Sequence, residues 1–280
     1  MDAVRRRYRP TLRRPRAIVA FEGWNDACEA ATGAAAYLLG RLASEEPFAT
    51  IEPEEFFDFQ EHRPRVHVGE GTTRRITWPE TRFYAVVLPD HHHDLVVVTG
   101  DEPSFRWKTF ARTVTMVLNE VDTEGVLLLG AYIGQVTHQQ PVPLSGVGTD
   151  PDEVRRHDLE VSDYEGPTGI VGVLIEACRE VGLPALSIWA GTPHYLAANP
   201  NPSAMLAITR KLAEILGVSF DLKDLERLDG DFRAKVDEAI GNGDDLADYL
   251  DGLIGGRDLL DPSLTSELVS EIERFLEGLN

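Results

Sequence analysis

Four short polar segments could carry chemistry, and each directly follows an apolar run of strand length. They are Glu22-Gly-Trp-Asn-Asp26, Gly100-Asp-Glu-Pro-Ser104, Gly134-Gln-Val-Thr-His138 and Gly191-Thr-Pro-His-Tyr195. In open parallel sheets the carboxyl ends of the strands meet at one edge, where helix N-termini and loop backbones converge on ligands. We therefore predict one ligand- or partner-binding site, built from Trp24, Asn25, Asp26, Glu102, Gln135, His138, Thr192 and His194.

Proton transfer and helix capping are competing interpretations of these side chains. A histidine exchanges protons near neutral pH, so His138 or His194 could serve as an acid or a base. Asn25 and Asp26 are residue types that cap helices, because their side-chain oxygens accept hydrogen bonds from the free N–H groups of the first turn. Ser145 lacks the leading glycine and the strand-to-helix setting of a nucleophile elbow. We therefore assign no catalytic residue.

Metal and cofactor patterns are weak in this sequence. The run His91-His-His-Asp94 invites a metal interpretation, but consecutive side chains of an extended chain point in different directions, so we predict a polar turn. The two cysteines, Cys28 and Cys178, fall in predicted helices and are expected to be buried free thiols. The turn at 22–26 matches neither a phosphate-binding loop nor a dinucleotide fingerprint. We expect no metal and no cofactor.

The elements that would position these residues alternate between strands and helices. Apolar runs predict buried strands at 17–21, 94–100, 125–134 and 184–190, with helices at about 105–121, 168–181 and 203–216. This alternation is typical of a largely parallel sheet with helices on its faces. Short antiparallel strands at the sheet edge are predicted within 49–78, where aromatic residues are bounded by proline and glycine.

Composition divides the chain into three regions. Residues 1–16 contain seven arginines and are expected to be a basic flexible arm. Residues 17–218 form the predicted α/β domain. Residues 219–280 are acidic, with apolar residues at helical spacing, which predicts a helical subdomain that must bury its apolar stripe on the domain or on another subunit.

Charge and hydropathy argue against nucleic acids and membranes as partners of this protein. The formal net charge of −20 would repel phosphate across most of the surface, so nucleic-acid binding is not expected. No apolar run approaches the roughly 20 residues that span a bilayer, and no hydrophobic segment follows the N-terminal arginines as in a signal peptide. We expect a cytoplasmic protein.

The ordered set of motifs resembles the PAC2 family, which is named for a eukaryotic proteasome assembly chaperone. The motifs are Phe21-Glu-Gly-Trp-Asn-Asp-Ala27, Ala31-Thr-Gly33, Gly100-Asp-Glu-Pro103, Leu127-Leu-Leu-Gly-Ala-Tyr-Ile-Gly134, Thr168-Gly-Ile-Val-Gly172 and Trp189-Ala-Gly-Thr-Pro-His-Tyr195. With its acidic C-terminal region the chain resembles the longer form found in actinobacteria. The resemblance implies a three-layer αβα domain with a mixed, mostly parallel sheet like that of phosphorylases and hydrolases.

Two functions remain in competition. The resemblance implies a non-catalytic, homo-oligomeric protein-binding or assembly factor whose protein partner is unknown. Some relatives dock on proteasomes through a tail ending in a hydrophobic residue, tyrosine and any residue, whereas this chain ends Glu277-Gly-Leu-Asn280, so docking through the tail is not expected. The alternative is a phosphorylase- or hydrolase-like enzyme that acts on a small polar or nucleoside-like substrate at the strand ends.

Overall fold

Eleven strands and six α-helices are found among residues 3–42, 46–69, 74–196 and 200–241, which the computed structural model describes. The strands are β1 (Val4–Arg6), β2 (Arg16–Glu22), β3 (Ala49–Ile51), β4 (Arg65–Val68), β5 (Arg74–Thr77), β6 (Thr81–Val86), β7 (Leu95–Asp101), β8 (Gly125–Gly134), β9 (Leu144–Gly148), β10 (Glu160–Val161) and β11 (Ala185–Pro193). The helices are α1 (Ala30–Leu42), α2 (Trp107–Glu120), α3 (Pro151–Arg156), α4 (Ile170–Glu180), α5 (Pro202–Leu216) and α6 (Lys223–Gly241).

Nine of these strands form one mixed sheet, in the order β1-β3-β6-β7-β2-β8-β11-β9-β10. Strands β7, β2, β8 and β11 are parallel and form the centre, as the sequence predicts. Their ends define two opposite margins of the sheet, which we call the carboxyl edge and the amino edge. Antiparallel strands β6 and β9 flank the parallel centre, and β4 pairs with β5 in a separate hairpin.

Helices cover both faces of the sheet, which confirms the predicted three layers. Successive side chains of a strand point to opposite faces, so β2 contributes to both cores. Val19 and Phe21 pack in the core beneath α2 and α4, whereas Ile18 and Ala20 pack in the core beneath α1 and α5. Because both faces of β2 are buried, its sequence is a continuous apolar run.

Part of the basic N-terminal segment, for which the sequence predicts a flexible arm, lies in the sheet: Val4–Arg6 forms strand β1. β1 pairs antiparallel with β3 at the sheet margin, where the main chain finds hydrogen-bond partners that propensity alone does not reveal. Further along, Arg13 bonds Asp94 through Nη2 at 2.9 Å. Asp94 is 1% exposed, so the histidine run before it ends in a buried carboxylate that pairs with the half-exposed Arg13.

Helix α6 extends the domain beyond residue 218. Its buried Leu225 and Val236 supply the apolar stripe, and it packs against α5. Arg210 on α5 pairs with Glu226 on α6 at 2.7 Å. The prediction of a helical region after residue 219 therefore applies to 223–241, and its remainder, 242–280, lies outside the described residues. Among the described helices, none combines the length and apolar character needed to cross a bilayer.

Candidate functional site

The predicted residues gather at the carboxyl edge because their strands are parallel neighbours. The backbone N–H of Ala131 on β8 donates to the carbonyl of Asn25 at 2.8 Å, which ties the β2–α1 turn to the next strand. Thr192 Oγ1 on β11 donates to the Tyr132 carbonyl at 2.9 Å. The turns that follow β2, β7, β8 and β11 therefore share one margin of the molecule.

Asn25 and Glu102 are joined by a hydrogen bond at the start of α4. Asn25 Nδ2 donates to Glu102 Oε1 at 2.6 Å, and the same oxygen accepts from the backbone N–H of Ile170 at 2.7 Å. Glu102 thus satisfies a free N–H of the first turn, where Gly169 offers no side chain of its own. A Cβ at Gly169 would lie 2.2 Å from Asn25 Oδ1, so glycine is required for this close approach.

Asp26 caps helix α1. Its Oδ1 accepts from the backbone N–H groups of Ala31 at 2.7 Å and Thr32 at 3.2 Å, and its Oδ2 accepts from the Thr32 hydroxyl. Burial raises the pKa of the Asp26 carboxyl above its ordinary value, although these hydrogen bonds oppose the shift. Its contacts in the structure are those of a capping residue.

His138 lies in a buried hydrogen-bond chain that crosses from the β8 loop to α6. Its backbone N–H donates to the Tyr195 hydroxyl oxygen at 2.9 Å, and its Nδ1 lies 2.8 Å from the same oxygen. Its Nε2 lies 2.9 Å from Asp237 Oδ1 on α6. A neutral imidazole satisfies every contact if Tyr195 donates to Nδ1 and Nε2–H donates to the carboxylate. Both ring nitrogens are therefore occupied.

The remaining predicted residues are spread along the same edge. His194 is partly buried, and its ring packs edge-on against Tyr195 at 5.4 Å between centroids. Burial lowers the pKa of His194, while a hydrogen bond to the Gly134 backbone opposes that shift. Gln135 and Trp24 are exposed. Tyr195 thus lies against both predicted histidines.

Helix α6 also supplies residues that the sequence analysis did not select. Arg233 donates to the His138 carbonyl through Nη1 at 2.6 Å and to Asp229 Oδ1 through Nε at 2.9 Å. The hydroxyl of Ser203 donates to the same Asp229 oxygen. The Asp229–Arg233 pair follows i,i+4 helical spacing. No local signal identifies the contacts of Arg233 and Asp237 with His138, because they span 95 and 99 residues. Tyr195 ends one of the four selected segments, and its position beside His194 was the available signal.

A pair of carboxylates at two adjacent strand ends was also missed. Glu22 and Asp101 are directly opposite one another in the register of β2 and β7. Partial burial raises the pKa of Glu22, and the neighbouring Asp101 raises it further through charge repulsion and a shared hydrogen bond. Aligning the ends of the two predicted strands would have placed these residues together. Within the described ranges, no group of histidine, cysteine and carboxylate side chains could hold a metal ion.

Cys28 occupies the strand-to-helix turn where some enzymes carry a nucleophile. Its φ of 56° is a left-handed conformation that is uncommon outside glycine. Burial raises the pKa of its thiol, and Sγ donates to the Leu196 carbonyl at 3.4 Å. A nucleophilic cysteine needs a lowered pKa and an accessible thiolate, and Cys28 has neither. The arrangement does not activate this thiol.

The carboxyl edge combines a closed polar interior with exposed apolar side chains. The cavity between His138, Pro193, Asn201 and Arg233 has a volume of about 10 Å³, room for at most about one water molecule. In the turns that follow β2 and β7, Trp24 is 59% and Phe105 50% exposed. We call the exposed apolar side chains at this edge the apolar rim; they are Trp24, Phe105, Tyr132 and Ile133.

These features define a three-layer α/β protein with helices on both faces of one mixed sheet. A model of the PAC2 family matches residues 20–240, and the chain belongs to this family. A PAC2 family protein from Streptomyces avermitilis is 43% identical, with a TM-score of 0.78 over 84% of this chain and 99% of that one. A proteasome-assembly chaperone homologue from Mycobacterium tuberculosis is 36% identical, with a TM-score of 0.77 over the same shares.

A more distant structure shares the fold alone. An archaeal proteasome activator from Pyrococcus furiosus is 19% identical, with a TM-score of 0.67 over 84% of this chain and 97% of that one. The comparison with curated proteins found no significant match. Family membership agrees with the resemblance drawn from the sequence motifs.

Proposed function

We propose that this protein is a non-catalytic protein-binding or assembly factor that acts in the cytoplasm and contacts its partner through the apolar rim. The observation that carries the proposal is the contrast at the carboxyl edge. Asn25, Glu102 and His138 make hydrogen bonds within the fold, whereas large apolar side chains such as Trp24 face solvent. Exposed apolar groups ringed by polar residues are characteristic of protein contact sites.

The charge around the rim suggests the chemistry of the partner. Glu22 and Asp101 end their strands beside the turn that carries Trp24, and Glu29 follows it. An acidic margin around an exposed tryptophan favours a partner surface with basic residues around an apolar centre, because complementary charge steers association and fixes register. Aromatic side chains at such positions commonly carry most of the binding energy.

The family supports this proposal over catalysis. Two structurally similar proteins are described as a proteasome-assembly chaperone homologue and an archaeal proteasome activator. Protein partners and self-association are therefore our expectation for this chain also. The proposed factor would form homo-oligomers, hetero-complexes or both through the same rim.

Size measurement by light scattering tests the self-association part. The full chain is compared with Trp24→Ser, and with Val181→Ser as a matched control, because Val181 is 48% exposed at the opposite edge. We expect Trp24→Ser to weaken association by roughly tenfold or more, as for an interface hot spot, and Val181→Ser to leave it unchanged. A chain that is monomeric at all concentrations would contradict self-association.

Turnover assays test the enzymatic alternative. Purified protein is offered nucleosides with phosphate, and simple esters and amides. We expect no turnover above that of a His138→Ala, His194→Ala double variant. Turnover that is lost in the double variant, while the fold measured by circular dichroism is retained, would contradict the proposal and favour a hydrolase- or phosphorylase-like enzyme.

A further inference from the structure

A second surface feature lies at the amino edge, opposite the apolar rim. A groove of about 480 Å³ runs between the chain after β1, the start of β3 and the end of α2. Its lining consists of Arg6, Arg7, Tyr8, Arg9, Pro10, Phe48, Ala49, Glu120 and Val121. This volume falls in the range of about 300–1,000 Å³ that is typical of small-molecule sites.

The floor and one wall of the groove are rigid. Phe48, Ala49 and Val121 are buried and supply an apolar floor. The backbone N–H groups of Arg7 and Tyr8 both donate to the Phe48 carbonyl, at 2.8 and 3.4 Å. The segment that carries the cationic side chains is thus fixed to β3 before any ligand arrives, and this limits the entropy lost on binding.

The arginines of the groove differ in how firmly they are paired. Arg6 holds both oxygens of Glu120, at 2.8 and 2.7 Å, so these two charges compensate each other. Arg9 donates through Nη2 to the Glu120 carbonyl at 3.0 Å, and no carboxylate of the described residues forms an ion pair with it. Arg7 pairs with Glu46, whose side chain is 69% exposed, and an exposed pair of this kind contributes about 0–1 kcal/mol. Arg7 and Arg9 therefore present positive charge to an incoming anion.

Tyr8 places an aromatic ring between these two cations in sequence. The ring is 49% exposed and is held by an edge-on contact with Phe48 at 6.3 Å between centroids. A half-exposed ring that is anchored on one side offers a surface on which a flat ligand can stack. The groove thus combines two guanidinium groups for a phosphate with an aromatic surface for a planar ring.

We propose that this groove binds a mononucleotide, with its phosphates on Arg7 and Arg9 and its base against Tyr8. The groove has a volume of about 480 Å³, and the chain as a whole carries a net charge of −20. A long nucleic acid that left the groove would meet repulsive surface, whereas a mononucleotide would stay within the basic segment. The observations therefore favour a small ligand over RNA or DNA.

Calorimetric titration of the full chain with ADP tests the proposal, with adenosine and inorganic phosphate as separate probes. We expect ADP to bind about tenfold more tightly than either fragment, because both halves of the site are engaged. Arg9→Gln should weaken ADP binding about tenfold or more by removing charge-assisted hydrogen bonds. Tyr8→Ala should weaken it and Tyr8→Phe should preserve it, because the Phe ring retains the stacking surface. Arg155→Gln on α3 is the matched control, since Arg155 is an exposed arginine paired with Asp152 elsewhere on the surface.

Several results would overturn the proposal. One is the absence of ADP binding at about 1 mM, a concentration that detects even weak complexes. Another is binding that Arg9→Gln and Tyr8→Ala leave unchanged. Phosphate binding as tight as that of ADP would reduce the site to an anion site without base recognition. Tighter binding of a single-stranded RNA oligomer than of ADP would assign the groove to nucleic acid.

Discussion

His138 Nε2 lies 2.9 Å from Asp237 Oδ1, although 99 residues separate the two in sequence. The contact joins the loop after the central strand β8 to helix α6, and Arg233 adds a second bond from the same helix to the His138 carbonyl. Because His138 is buried, the pair closes the polar interior of the carboxyl edge. The region after residue 218 therefore completes the edge at which the family motifs meet.

Asp237→Ala should loosen helix α6 without unfolding the domain. The substitution removes the carboxylate partner of a buried imidazole, and we expect a cost of about 1–2 kcal/mol to the docking of α6. Hydrogen exchange of the α6 amides should accelerate roughly tenfold, while exchange in β2 and β8 stays unchanged. Asp231→Ala is the matched control, because Asp231 pairs only across the exposed face of α6 with Arg227. Equal acceleration in both variants would contradict a specific role for the His138 contact.

Asp26→Ala should destabilise the domain through helix α1. Asp26 accepts from two backbone N–H groups and one hydroxyl, and loss of such a cap costs about 1–2 kcal/mol. Denaturant unfolding measures the difference. Asp150→Ala removes the cap of the six-residue helix α3 and should cost less, since that carboxylate accepts one backbone N–H, from Asp152, and otherwise forms only an exposed ion pair with Arg156 among the described residues. A larger effect for Asp150→Ala would contradict this ranking.

Glu22→Gln should raise the melting temperature at neutral pH. The pKa of Glu22 is raised in the folded chain by burial and by Asp101, so an ionised Glu22 opposes folding. The loss of folding stability caused by ionised Glu22 is fully present once the pH exceeds the pKa of Glu22 in the folded state. It disappears below the ordinary pKa of 4.5, where Glu22 is protonated in both the folded and the unfolded state. The gain from the substitution should therefore shrink as the pH falls toward 4.5. The exposed Glu165→Gln provides the control, and a gain that is constant with pH would refute the explanation.

Asp94→Ala should be among the more damaging polar substitutions. Burial alone would raise the pKa of Asp94, but hydrogen bonds from Arg13 and from the backbone of Leu88 outweigh it and hold the pKa below its ordinary value. Removal of this buried acceptor should cost about 2–3 kcal/mol. A lowered pKa contributes stability that is present above pH 3.8 and is lost as the pH falls through the folded-state value.

The pH profile of this variant provides a check. The difference in the free energy of unfolding between Asp94→Ala and the wild-type protein should be constant between neutral pH and pH 5. It should become smaller only at more acidic pH. Asp152→Ala breaks an exposed pair and should cost less than about 1 kcal/mol. If Asp94→Ala loses no more stability than Asp152→Ala, the contribution of the Arg13–Asp94 pair to stability is contradicted.

The parallel centre of the fold was predictable because burial on both faces leaves a direct pattern in sequence. The run Ala17–Phe21 is apolar at every position, and β2 is indeed buried on both sides. The short edge strand β1 was not predictable, because Val4–Arg6 is a three-residue stretch with two arginines that is held by pairing with β3. Only the tertiary context reveals that pairing.

The sequence predicts where in the fold the candidate residues lie, but not which groups they contact. The rule for parallel strands places Asn25, Thr192 and His138 at one edge, and the strands that lead to them are parallel neighbours in the sheet. It could not pair His138 with Asp237 or Glu102 with the backbone of Ile170, because these contacts depend on how α4 and α6 pack. Local sequence specifies which residues end each strand, whereas helix docking decides whether their polar groups remain available.

The most direct test of the proposed contact surface is site-specific photo-crosslinking from position 24 in the native cell. A photoreactive phenylalanine analogue replaces Trp24 in one strain and Val181, at the opposite edge, in another. We predict protein adducts, with a second copy of the chain or with another protein, from position 24 and far fewer from position 181. Equal adduct yields at the two positions, or none from position 24, would contradict the assignment of the apolar rim as the protein-binding surface.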